Sequence, residues 1–135
     1  MKKIAFLLFM SILFYSCLNN DTDEEGFSYE LLKIDEAKTP ESFTFGKTDS
    51  ITIKYTLAGG CRSFDRLYYE QKDNTRIVAV TVLVNLENPC TLDLIPEEYK
   101  FAVTANQTED YIFKFYKGKD SNGDNLYDEV IIPVN

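Results

Sequence analysis

Asp49-Ser50-Ile51-Thr52-Ile53-Lys54-Tyr55-Thr56 alternates strictly: Ile51, Ile53 and Tyr55 fall on one side, and Thr52, Lys54 and Thr56 on the other. A period of two over this length marks a strand with one face buried and one in water, as in an antiparallel sheet. The signal recurs in both directions along the chain. Residues 28–34 form a candidate first strand. Residues 66–71 and 76–84 read as a hairpin around Lys72-Asp73-Asn74-Thr75, a polar turn followed by a β-branched return strand. Tyr99-Lys100-Phe101-Ala102-Val103 alternates again, and Tyr111-Ile112-Phe113-Lys114-Phe115 does so with aromatics on one side. Residues 126–134 close the chain, with Pro133 suited to a strand end. A 3.6-residue period is missing over any useful length; residues 96–99 suit one helical turn at most.

Seven short strands in about 105 residues imply an all-β fold, an antiparallel β-sandwich of immunoglobulin or fibronectin III type. Tyr111 opens the sixth strand, where such folds place a tyrosine whose hydroxyl bonds back to the preceding loop. The cysteines do not follow the antibody pattern. There is no tryptophan, and Cys61 and Cys90 flank the third and fourth strands. A bridge between them is expected near one end of the sandwich, pinning loops.

The chain starts with Lys2 and Lys3, then an apolar stretch over residues 4–15 broken only by Ser11. Its twelve residues fall short of the roughly 20 that a membrane-crossing helix needs. The length and flanks are those of a secretory signal peptide. Phe14-Tyr15-Ser16-Cys17 resembles a bacterial lipobox, with a small residue directly before the cysteine. Its relaxed first two positions resemble those of Bacteroidota lipoproteins. The resemblance implies that residues 1–16 are removed and that Cys17 carries the lipid, palmitate included, because sulfur is the nucleophile that forms the thioether to diacylglycerol. Several acyl chains make such an anchor effectively permanent.

Residues 17–26 then form an acidic, disordered tether reaching roughly 30 Å when extended. Residues 27–135 form the single folded domain. Acidic residues just after a lipidated cysteine resemble the surface-export signals of some Bacteroidota lipoproteins. Thr22 interrupts them here, so the cell surface and the periplasmic face of the outer membrane both stay open.

With Cys17 committed to lipid, Cys61 and Cys90 remain as an even pair. In an oxidising compartment such a pair reads as a disulfide in preference to two buried free thiols. Closing a loop of about 30 residues contributes roughly 3–4 kcal/mol in the chain-entropy model. Charge narrows the partners. The chain has 14 Lys+Arg and 22 Asp+Glu; loss of Lys2 and Lys3 leaves 12 against 22, a balance of −10. That excludes nucleic acid as an expected partner, because Lys and Arg must neutralise phosphates there.

Residues 51–132 resemble a group of small Bacteroidota lipoproteins with one immunoglobulin-like domain. Gly60-Cys61-Arg62-Ser63-Phe64, Asn74-Thr75-Arg76, Cys90 and Tyr111-Ile112-Phe113-Lys114-Phe115 carry the likeness. The resemblance implies a fold and a location, and it transfers no active-site residues.

Candidate chemistry is sparse. Asp120, Asn122 and Asp124 match positions 1, 3 and 5 of an EF-hand-like Ca²⁺ loop, with Asp128 as a further oxygen ligand. Asn125 then stands where the loop needs glycine, and Ile131 where it needs a bidentate carboxylate. The competing reading, an Asn122-Gly123 hairpin turn, weighs more. No cofactor other than Ca²⁺ is a candidate. The chain has no histidine, which removes the usual catalytic base and the commonest zinc ligand; no catalytic residue is nominated and an enzyme is not expected. Tyr68 and Tyr69 are adjacent in a strand and must point to opposite faces. Tyr116 falls opposite Phe113 and Phe115. Outward tyrosines stack on sugars or anchor proteins, which makes Tyr68, Tyr69 and Tyr116 the candidate ligand-binding residues; the competing reading, scattered cross-strand tyrosines on a sheet's outer face, weighs more. Two weaker signals are Ser50, as an O-glycosylation acceptor in Asp49-Ser50-Ile51, and Asn106 in an N-glycan sequon. The expected role is a membrane-anchored binding or adhesion module for a protein or glycan. The alternative is a structural accessory subunit facing the periplasm.

Overall fold

The computed structural model describes residues 26–135. The expected signal peptide, the lipobox-like stretch with Cys17, and the expected tether up to residue 25 lie outside the described residues.

Eight strands follow in order: β1 (Phe27–Leu32), β2 (Glu36–Lys38), β3 (Thr48–Ala58), β4 (Arg62–Lys72), β5 (Thr75–Asn85), β6 (Leu94–Thr104), β7 (Tyr111–Lys119) and β8 (Asn125–Ile132). Strands β1, β4, β5, β7 and β8 form one sheet; β2, β3 and β6 form the other. The all-β sandwich that the alternation implies is what the chain forms. Eight strands replace about seven because β2 has three residues, too few to show a period. Residues 96–99 do not turn into helix; they lengthen β6, with Pro96 opposite Thr56 and Glu98 opposite Lys54. Strand β6 pairs only with β3, so the missing Pro96 N–H is tolerated on an edge.

Strand β5 is the hub. Strand β4 runs along one edge of it from Thr75 to Val84. The other edge is shared: β7 takes residues 75–78 in parallel, and β1 takes residues 80–85 antiparallel. Among the eight strands the β5–β7 pair alone is parallel, beside an isolated parallel bridge between Phe43 and Val134, and β6 in the opposite sheet supplies the crossover that the strand pair requires. Strand β5 is the most continuously apolar strand because both of its faces are buried along most of its length. Val78, Val80, Val82 and Val84 point into the core, where they meet Ile51, Ile53, Tyr55 and Leu57 of β3 and the rings of Phe113 and Phe115.

The chain changes sheets between β1 and β2. The Ile34 N–H donates to the Tyr116 carbonyl at 2.8 Å, while the next residue, Asp35, donates to the Lys54 carbonyl at 2.8 Å in the opposite sheet. A bulge between Tyr116 and Gly118 steers Lys117 to this corner. Its ammonium donates to the Ile34 and Asp35 carbonyls at 2.8 and 2.9 Å. The bulge thereby satisfies two carbonyls that the strand switch leaves without a ladder.

Candidate functional site

The two outer faces of the sandwich differ in kind. On the three-stranded sheet the outward residues are Thr52, Lys54, Thr56, Pro96, Glu98 and Lys100, by the alternation and register of β3 and β6. On the five-stranded sheet the outward set includes Tyr29 and Leu31 of β1, Tyr68 of β4, Ile77 and Leu83 of β5, Tyr116 of β7 and Tyr127 of β8. An ordinary solvent-facing sheet surface is polar. The first face largely meets that description; the second mixes its rings and aliphatic side chains with Arg66, Glu70 and the Lys114–Glu129 pair.

Tyr68 reaches this face because of one extra residue. In β4 the register jumps between Phe64, opposite Val82, and Arg66, opposite Thr81, which leaves Asp65 as a bulge. The bulge inverts the alternation, since a one-residue slip exchanges the two faces. Phe64, Leu67 and Tyr69 therefore all point inward, while Tyr68 and Glu70 point outward. Phe64 stacks on Tyr99 at 4.8 Å, and Tyr69 meets Phe101 edge-on at 6.0 Å across the sandwich.

Tyr68 and Tyr69 are almost equally exposed, at 39% and 40%, but they serve different surfaces. Tyr69 belongs to the open side of the core, and burial raises its hydroxyl pKa above the usual tyrosine value against the opposing pull of Arg76. Tyr68 belongs to the outer face. Its hydroxyl donates to Glu70 Oε2 at 2.6 Å, and that hydrogen bond leads the causes that raise its pKa. Tyr116 departs from expectation: it is only 5% exposed, because Tyr127, directly opposite in β8, packs on it edge-on at 6.1 Å. Tyr116 is thus a wall and Tyr68 a rim.

Together with Tyr127 they enclose a recess of about 180 Å³ whose floor is Ile77 and Ala79, with Leu31, Glu70 and Asn125 at its margin. Nearby, the Arg66 guanidinium lies over the Tyr29 ring at 5.4 Å. The arrangement offers ring faces and edges beside a carboxylate and a carboxamide, which suits reversible contact with a partly apolar ligand. A larger groove, about 460 Å³, runs past Asp35, Glu36, Lys54, Glu97 and Glu98. Its polar groups already answer one another: Lys54 donates to Glu36 at 3.1 Å, lowering that carboxyl's pKa, and Thr56 donates to Asp35 at 2.8 Å.

The Ca²⁺ candidates are not assembled into one site. The Asp120 carboxylate accepts the backbone N–H groups of Asn122 and Asp124 at 2.8 and 3.0 Å. Asp120 also bonds Asp124 and Gly123 through its backbone, at 2.9 and 3.1 Å, and Gly123 has φ +86°. This is a three-residue hairpin loop with its glycine in the left-handed position, one residue longer than the two-residue turn read from the sequence. Asp128 lies on β8 opposite Phe115, with its carboxylate 3.1 Å from the Lys117 ammonium. Among the described residues, no three His, Cys, Asp or Glu side chains group to hold a metal. Ser50 is exposed on β3.

The ends of the sandwich are both fastened. Cys61 and Cys90 form a disulfide that ties the start of β4 to the loop between β5 and β6. At the opposite end, Tyr111 makes the expected corner: its hydroxyl donates to Asn106 Oδ1 at 3.0 Å and accepts the Asn106 N–H at 3.1 Å. Its companion has no local signature in the chain. Arg76 is buried beneath the same corner, 4.8 Å over the Tyr111 ring, and donates to the Asp73 and Thr75 carbonyls and to Gln107.

These features define an all-β, two-sheet sandwich domain with a disulfide at one end and an aromatic outer face. A family model described as the ORF11 beta-sandwich domain matches residues 51–129, more than half of the chain, and the chain belongs to that family. The chain matches no curated protein and no solved structure. The matched stretch omits β1, β2, the first three residues of β3 and the last three of β8, although β1 supplies Leu31 to the recess.

Proposed function

We propose that this protein is a lipid-anchored outer-membrane lipoprotein of the cell envelope whose sandwich is a non-catalytic binding module for a protein or glycan. The carrying observation is the convergence of Tyr68, Tyr116 and Tyr127 on the outer face of the five-stranded sheet. Tyr29, Tyr68 and Tyr127 keep part of their rings in water on this face, around the buried Tyr116 ring, and exposed rings gathered on one face mark an interaction surface. Tyrosine gives large contact area for little loss of side-chain freedom, which is why it serves as a binding anchor. The anchor itself rests on the lipobox and Cys17.

Affinity capture tests the reading. The soluble domain, residues 21–135, is immobilised and exposed to cell-envelope and glycan extracts beside a Tyr68→Ala/Tyr127→Ala variant. Retention of a defined protein or glycan by the first and not the second is the expected outcome; equal retention by both, or by neither, removes the site. Protease treatment of intact cells separates the surface binder, whose domain is lost, from a periplasmic accessory subunit, whose domain is protected.

A further inference from the structure

The disulfide-bonded end of the sandwich exposes leucine to an unusual degree. Leu92 is 99% exposed, Leu94 72% and Leu86 62%. One exposed leucine is ordinary, but a cluster at one pole of a small domain is not. The three are held at one pole: the Cys61–Cys90 bond fixes the loop that carries Leu92, and the Gly59 N–H donates to the Asp93 carbonyl at 2.7 Å. Gly60 N–H donates to the Thr91 hydroxyl at 2.9 Å. The first of the described residues also lies here, since the Leu86 N–H donates to the Gly26 carbonyl at 2.8 Å. Only eight residues, 18–25, lie between Cys17 and Gly26, a span of at most about 30 Å.

We infer that this pole rests on the lipid bilayer, with Leu86, Leu92 and Leu94 in the headgroup–acyl boundary beside the anchor. The inference depends on the lipidation of Cys17. A short tether ending at the leucine pole keeps that pole at high effective concentration against the membrane, so weak apolar contacts suffice to seat it. Glu87 and Asp93 stand between the leucines, which fits a zwitterionic headgroup layer and opposes an anionic one. Seated this way, the β4–β5 turn and the β6–β7 loop point away from the membrane, and the tyrosine recess faces sideways, open to a ligand.

The chain contains no tryptophan, so a single introduced one reports alone. Leu92→Trp places it at the leucine pole, at a side chain fully in solvent, and Thr108→Trp places it on the exposed β6–β7 loop at the other end. Each full-length lipoprotein is purified from membranes and reconstituted into phosphatidylcholine vesicles, with and without brominated phosphatidylcholine. The expected result is emission from Leu92→Trp that shifts to the blue and falls about twofold with the brominated lipid, while Thr108→Trp is unchanged. Protein that floats with the vesicles but shows no quenching at either position overturns the seating and leaves the anchor intact. Equal quenching at both positions also overturns it, because the domain then lies on its side. Failure of the unsubstituted protein to float removes the anchor, and the seating falls with it.

Discussion

At one end of the sandwich a covalent bond joins Cys61 to Cys90, while at the other Arg76 and Tyr111 join the neighbouring loops through a ring, a guanidinium and hydrogen bonds. The tasks are alike, since each fastens the exit of one strand to the entry of another. The consequences differ. A disulfide holds its loops whether or not they pack, so the loop around Cys90 can leave Leu92 in water. The other end is tied into the core itself: the Tyr111 ring packs edge-on against Phe43 at 5.1 Å and alongside Phe113 at 6.1 Å. There, order in the loops and order in the core are one property. Losses at the tyrosine end are therefore expected to spread through the core, and losses at the disulfide end to lie mainly in the unfolded-state entropy, with a smaller packing loss where Cys61 touches the core.

The largest expected effect follows directly. Tyr111→Ala removes a fully buried ring, strands Arg76 over a cavity and unpartners Asn106, and is expected to cost about 3–5 kcal/mol in urea unfolding. Cys61→Ser with Cys90→Ser comes next. Opening a loop with a sequence separation of 29 is expected to cost about 3 kcal/mol, read from the same denaturation curves. If the cysteine pair proves the costlier of the two, the contrast drawn between the ends is reversed.

What the sequence displayed and what it concealed divide along a similar line. The alternation at Ile51, Ile53 and Tyr55 is local, so β3 and the sandwich class could be read directly. So could the corner tyrosine, whose partner Asn106 is five residues away, and the cysteine pair, which follows from counting. The recess was only half legible. Tyr68 and Tyr69 were placed on opposite faces, as the structure has them, but the pairing of Tyr116 with Tyr127 is a matter of strand register and cannot be seen from either strand alone. The bulge at Asp65 did leave a trace: the inward residues Phe64, Leu67 and Tyr69 are spaced by three and then two. The parallel β5–β7 pair left none, because the crossover runs through the other sheet. Arg76 was missed for a physical reason, since a charged residue is normally taken to be outward.

Two smaller substitutions sharpen the comparison. Gly59 sits at φ +92°, and a Cβ there would lie 2.5 Å from the Thr91 carbonyl oxygen. Gly59→Ala is expected to cost about 2 kcal/mol in thermal or urea unfolding, through strain at the disulfide end. Tyr111→Phe keeps the ring and removes only the hydroxyl. It is expected to cost about 1 kcal/mol, from the Asn106 groups left unpartnered. A negligible loss in Tyr111→Phe would mean that the ring alone fastens the tyrosine end.

The smallest effect concerns pH and separates the ends most cleanly. Tyr69 lies beside Arg76, and its pKa is raised by burial even though the guanidinium pulls it down. A raised pKa means that the folded state holds the phenolic proton more tightly than the unfolded chain does. The corresponding stability is complete below the unfolded value, about pH 10, and is lost as pH rises through the higher folded value. Tyr55, also raised mainly by burial, and Tyr68, raised mainly by its bond to Glu70, act in the same direction. Tyr69→Phe should therefore flatten the alkaline fall in urea midpoint only in part. The paired cysteine-to-serine variant should keep the full slope at lower overall stability, because neither a disulfide nor serine titrates in this range. An unchanged slope in Tyr69→Phe would show that ionisation does not reach the Arg76 corner, and the two ends would then differ in packing but not in their response to charge.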